Sequence, residues 1–173
     1  MNSTERILEF VSTIGLTVHE RACSEATFLP GIVIDAGTLV IDRNRLAYPG
    51  DVLHEAGHIA ITAPSQRCLL SENLTAGPGE EMASIAWSWA AVVHLGIDPS
   101  VLFHGGGYKN DADSLLENFR AGRYIGVPLL QWYGMTWERS QRADQPVYPR
   151  MTSWLRTREE EPVVEKRRIE CTP

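Results

Sequence analysis

Apolar residues first recur at helical spacing over residues 4–14, where Ile7, Leu8, Val11 and Ile14 share one face. Asn2 or Ser3 is placed to cap that helix and Gly15 to end it. Residues 16–27 follow no clear period. Two runs of β-formers come next, Gly31-Ile32-Val33-Ile34 and Thr38-Leu39-Val40-Ile41, with Asp35-Ala36-Gly37 between them. They predict a hairpin with a short turn. Pro49-Gly50-Asp51 then breaks the chain and supplies a cap, and a helix is expected from about Val52 to Thr62, stopping before Pro64. Ser71 to Gly79 reads as a loop. A long helix from about Glu80 to Leu95 ends at Gly96, and Asp98-Pro99 opens a short one. Gly105-Gly106-Gly107 reads as a break, 111–121 as a helix and 128–132 as a further helical turn. From Arg139 the chain turns polar. The expected organisation is one domain over 1–155 and a charged, solvated tail over 156–173. The fold class is α+β, a small antiparallel sheet packed on a mainly helical body.

Composition narrows the function. A chain of 173 residues, 43% apolar and 22% charged, can bury a core without disulfides or other staples. Its formal charge of -6 argues against nucleic acid as a partner, because binding phosphate needs a basic footprint. The three cysteines, Cys23, Cys68 and Cys171, are odd in number and far apart, so neither a disulfide framework nor a CxxC site is suggested. The N-terminus lacks the pattern of a signal peptide. The longest mostly apolar stretch, Met82 to Ile97, falls short of the ~20 residues of a membrane span. A soluble cytoplasmic protein is expected, with no membrane partner.

One segment carries sharp chemistry: His54-Glu55-Ala56-Gly57-His58. Residues four apart on a helix point the same way, so His54 and His58 can hold one metal ion between them. Glu55 lies beside that face and can reach a water at the ion's open position, as the general base of an HExxH site. Gly57 is a poor helix former, so its presence suggests close approach by another backbone or by substrate. The hairpin just upstream supplies an edge strand with which an extended peptide could pair. A two-histidine site needs a third protein ligand. The longer HExxHxxGxxH pattern is excluded, since Ile61 stands where its glycine would be. Glu80 and Glu81, at the head of the second long helix, are the candidates, each able to complete a His2Glu set around Zn2+ (one per chain).

On these residues the chain resembles the gluzincin-type zinc metallopeptidases, and most closely the ImmA/IrrE-like group. The resemblance spans roughly residues 29–95: the Leu29-Pro30-Gly31 turn, the HEAGH helix and a second helix headed by glutamate. It implies a zincin-like body and hydrolysis of peptide bonds in a peptide or protein substrate. The group carries Glu-x-x-Ala-(Asn/Asp) at its third ligand. Glu80-Glu81-Met82-Ala83-Ser84 matches that spacing with Glu80 as ligand, although serine replaces the last residue. Helix geometry instead favours Glu81, which shares a face with Ser84, Ile85 and Ser88 and could pack on the HEAGH helix. Glu81 is preferred and Glu80 kept beside it. An alternative is a metal-binding regulatory or structural module of the same fold, weak or inactive in catalysis.

Other residues could stabilise a developing oxyanion. His104, Tyr108 and Tyr124 are the candidates, with His94 more simply a helix-end residue. The glycines between His104 and Tyr108 either carry one of these side chains over the site or form a plain connector. No G-x-S-x-G elbow accompanies the HGGG string, which excludes a lipase-type reading. Cys23 lacks the neighbours of a deformylase ligand and is expected to be a buried thiol.

Overall fold

The computed structural model describes residues 2–23, 27–71, 76–108 and 111–159. Helix α1 (Ser3–Thr13) is capped by Asn2, whose side chain accepts the Glu5 N–H while the Glu5 carboxylate accepts the Asn2 N–H. Its face of Ile7, Leu8, Phe10 and Val11 is buried. Strands β2 (Ile32–Asp35) and β3 (Thr38–Ile41) form the expected hairpin, closing through Ala36 and Gly37, both at positive φ as a two-residue hairpin turn requires.

The sheet is mixed rather than antiparallel. β1 (Val18–Glu20) joins β3 in parallel, giving the order β1-β3-β2. Val18-His19-Glu20 shows no apolar alternation, because only hydrogen bonds to β3 make it a strand. β3 is central, and its Leu39, Val40 and Ile41 are all buried.

Helix α2 (Pro49–Ile61) begins earlier than its apolar pattern suggests. Tyr48 is the cap residue, Pro49 opens the first turn, and Asp51 lies inside the helix and is buried. The C-terminal carbonyls of α2 are closed by two guanidinium groups. Arg67, on a 3-10 helix (Pro64–Leu69), donates to the Ile59 and Ala60 carbonyls, and Arg156 donates to that of Ile61. Arg156 is thus no part of a solvated tail: it is 7% exposed, with its guanidinium 4.2 Å from the centre of the Tyr133 ring. The rest of the expected tail, from 160 onward, lies outside the described residues.

Helix α3 (Pro78–Leu95) runs through the middle of the protein. Every residue from Ala83 to Val92 is buried, which explains a segment apolar on all sides. Its tryptophans point different ways. Trp87 packs on Phe10 and Trp154 and donates to the Trp154 carbonyl, while Trp89 packs on Phe103 and Phe119. Gly96 ends α3 in the left-handed conformation, and Asp98 caps a 3-10 turn (Pro99–Val101) through the Ser100 N–H. Helices α4 (Ala112–Arg120) and α5 (Val127–Trp132) complete the helical body. Cys23 is half-buried and Cys68 exposed, so neither is the enclosed thiol expected of Cys23. Among the described residues no helix is long and apolar enough to cross a membrane.

Candidate metal centre

α2 and α3 cross closely because small residues meet at the contact. A Cβ on Gly57 would stand 2.6 Å from Ser84 Oγ and 3.1 Å from the Ser84 carbonyl oxygen, so only glycine fits this approach. The serines of α3 bond to the backbone of α2. Ser84 Oγ donates to the His54 carbonyl at 2.8 Å, and Ser88 Oγ lies 3.0 Å from that of Leu53. They therefore hold the backbone of α2 and not an imidazole ring.

This docking sets Glu81 against both imidazoles. Glu81 Oε1 lies 3.3 Å from His54 Nε2, Glu81 Oε2 lies 3.3 Å from His58 Nε2, and the two Nε2 atoms are 3.2 Å apart. The three edges are nearly equal. If each ring donates its Nε2 hydrogen to one Glu81 oxygen, the two Nε2 atoms still face each other at 3.2 Å with no hydrogen bond between them. A tetrahedral zinc ion with N and O ligands at 2.0–2.1 Å places its donors about 3.3–3.4 Å from one another. The donor types and their spacing fit such an ion. Glu55 also lies in the group, with ligand-type atoms of His54, Glu55 and His58 within 4.8 Å of one another. Both histidines are mostly covered, at 13% and 15% side-chain exposure, whereas Glu81 at 45% marks the open side.

Glu80 sits elsewhere. Its carboxylate accepts the Gly77 N–H at 2.8 Å, so it caps the first turn of α3. Among the oxyanion candidates, Tyr124 is not brought to the site: its ring packs on Phe119 and Tyr148. His94 packs on Phe10 and Trp154 at the far end of α3. His104 is engaged with Asp51 at 2.8 Å. Tyr108 does reach the site, with its ring edge-on to His54 at 5.7 Å between centroids. Its hydroxyl is buried and has no hydrogen-bond partner among the described residues, and the same holds for His54 Nδ1. The Tyr108 backbone is left-handed, φ 56°, which costs a non-glycine residue about 1–2 kcal/mol. The residues from His104 to Tyr108 are therefore an anchored loop and not a plain connector.

Proton affinities follow from this crowding. Hydrogen bonds from His54 and His58 hold the Glu81 carboxyl well below the usual carboxylate range. Burial opposes a charged His54, but the hydrogen bond and charge of Glu81, with the fields of Glu55 and Asp51, outweigh it and raise its pKa. Burial raises Glu55, against the pull of the two histidines. Burial, then the charges of Asp51, Glu81 and Glu55, push the Tyr108 hydroxyl far above its ordinary value, so it remains protonated.

The sequence marks Asp51 only as a helix cap, and its pairing with His104 has no sequence signal, since the two are 53 residues apart. Comparison of the chain with models of known protein families, with curated proteins and with solved structures finds no match.

Proposed function

We propose that this chain is a zinc-dependent hydrolase of peptide bonds, with a zincin-like arrangement in which His54, His58 and Glu81 hold the ion. The observation that carries the reading is the triangle of donor atoms 3.2–3.3 Å apart with Glu55 beside it. Bound zinc supplies a Lewis acid and lowers the pKa of water to about 7.

The protein's own groups do the rest. Glu55 accepts a proton from the attacking water and delivers it to the departing amide nitrogen. Its burial-raised pKa suits both halves of that transfer, because a carboxyl nearer neutrality both takes and releases a proton readily. Tyr108, kept protonated, donates its unpartnered hydroxyl to the carbonyl oxygen as negative charge develops there. β2 is an outer strand of the sheet, but Leu29 and Ser71 already bridge to its two ends at Ile32 and Asp35, which leaves little of that edge for an extended peptide. The choice of a peptide as substrate also draws on the likeness of the HEAGH segment to zinc metallopeptidases.

The test is metal content and hydrolysis of a broad peptide library by the protein purified without chelator. The expected result is about one zinc per chain and hydrolysis that chelator abolishes. Glu55→Gln should keep the metal and lose about a hundred- to ten-thousandfold in turnover, the usual worth of a general base. Full activity in that variant removes Glu55 from the reaction. Stoichiometric zinc with no chelator-sensitive hydrolysis overturns the hydrolase reading in favour of a metal-binding module.

A further inference from the structure

A second meeting of histidine and carboxylate lies one turn before the metal-site residues of α2. His104 Nε2 and Asp51 Oδ1 are 2.8 Å apart, and both side chains are only 9% exposed. Nδ1 of the same ring accepts the Gly106 N–H at 3.2 Å, which leaves the ring hydrogen on Nε2, facing the carboxylate. The imidazole also lies flat on Tyr48, with centroids 3.7 Å apart and planes 8° from parallel. Gly106 is pressed against the same tyrosine: a Cβ there would stand 2.7 Å from the ring. Both nitrogens of His104 are thus used inside the protein, and neither remains to touch a substrate.

What these bonds restrain is the chain that follows. The Gly107 N–H returns to the His104 carbonyl at 3.1 Å, and the next residue is Tyr108, held in the left-handed region. The Tyr108 hydroxyl is unpartnered, its carbonyl accepts the Asp111 N–H at 2.9 Å on the far side, and on the near side the loop is held through His104. Asp51 and His54 are three residues apart on one helix, so the group that anchors the loop and a group that faces the metal site share a rigid element.

We infer that the Asp51–His104 pair is a positioning latch, pinning the 104–108 loop to the first turn of α2 and so holding the Tyr108 hydroxyl at the metal site. The consequence for catalysis rests on the function proposed above, whereas the latch itself does not.

The test starts with the full chain free of metal. Amide exchange at Gly106, Gly107 and Tyr108 should accelerate about ten- to a hundredfold in Asp51→Ala and in His104→Ala, the loss expected for one charge-assisted hydrogen bond. The double variant should show no further acceleration. The Tyr108 ring resonances should move toward those of a free tyrosine. His104→Gln, which keeps an N–H donor near the position of Nε2, should restore most of the protection and separates loss of the latch from general unfolding. Unchanged exchange in both alanine variants, or additive effects in the double variant, overturns the latch whether or not the protein hydrolyses anything. In an active enzyme, latch loss should lower kcat about tenfold or more, with KM and zinc content unchanged. Unchanged kcat there overturns its positioning role. A wild type without hydrolysis instead overturns the proposed function and leaves the exchange data to decide the latch.

Discussion

Two groups of histidine and carboxylate stand along α2, and they are built to different ends. At the first turn, Asp51 and His104 meet at 2.8 Å, and the other ring nitrogen of His104 is satisfied by a backbone N–H. In the middle of the helix, His54, His58 and Glu81 meet at 3.2–3.3 Å, and no arrangement of their hydrogens satisfies all three edges. The residue types are the same. A closed pair uses its hydrogen-bonding capacity internally and acts as a strut, whereas nitrogen and oxygen donors meeting at this spacing suit a shared cation. Distance and saturation, more than composition, separate a histidine closed in a pair from one in a group that could hold a metal.

The largest effect that tests this contrast is on metal binding. Glu81→Ala should reduce zinc from about one per chain to near zero, while His104→Ala should leave it in place. Zinc at a hundred times its Kd should stabilise the wild type by about 2.7 kcal/mol, roughly 5–10 °C in Tm for a chain of this size. The same increment is expected in His104→Ala and none in Glu81→Ala. Equal zinc content in both variants would erase the distinction.

Gly57→Ala comes next. The added methyl must displace Ser84 Oγ from the His54 carbonyl or force α2 and α3 apart. Either route should cost about 1–3 kcal/mol in denaturant unfolding, despite the better helix propensity of alanine. Zinc affinity should fall with it, because Glu81 is carried by α3.

A smaller effect follows from pH. In the metal-free protein, His54 has a pKa above 6.5 and Glu81 one below 4.5. The raised His54 contributes stability below about pH 6.5, lost as pH rises through its folded value. The depressed Glu81 contributes above about pH 4.5, lost as pH falls through its folded value. Both contributions are present together between these limits, so the metal-free chain should melt highest near pH 5–6 and lower at pH 8. Glu55 adds to the fall at high pH, since its ionisation is resisted only in the folded state. Thermal melts across this range check the sign, and a metal-free maximum near pH 8 would contradict it. Zinc should invert the trend at the acid end, because protons compete with the ion for His54.

The smallest effect belongs to Glu80. Removing its cap on the Gly77 N–H should cost about 0.5–1 kcal/mol and leave zinc content unchanged. Loss of zinc in Glu80→Ala would exchange the roles of the two glutamates.

The readable parts of the sequence were those governed by neighbours in the chain. The face of α1, the β2–β3 hairpin with its Ala36-Gly37 turn, and the long α3 all follow from local periodicity and turn chemistry. His54 and His58 belong with them, since a spacing of four on a helix sets their shared face, with Glu55 beside it, without help from the rest of the fold. Gly57 announced a close approach but not its partner, which proved to be Ser84.

Other features are set by contacts between distant segments. β1 exists only through its pairing with β3, and Arg156 is buried because the carbonyls of Ile61 and Arg158 and the ring of Tyr133 receive it. The same is true of Glu81 over Glu80, of Tyr108 over Tyr124, and of the pairing of Asp51 with His104. Adjacent residues on a helix point about 100° apart, so the rotation of α3 about its axis decides which carboxylate meets the imidazoles. The sequence determined which helix could carry a metal. The packing of α3 and the anchoring of the 104–108 loop decided which groups complete its surroundings, because those positions depend on contacts no local pattern encodes.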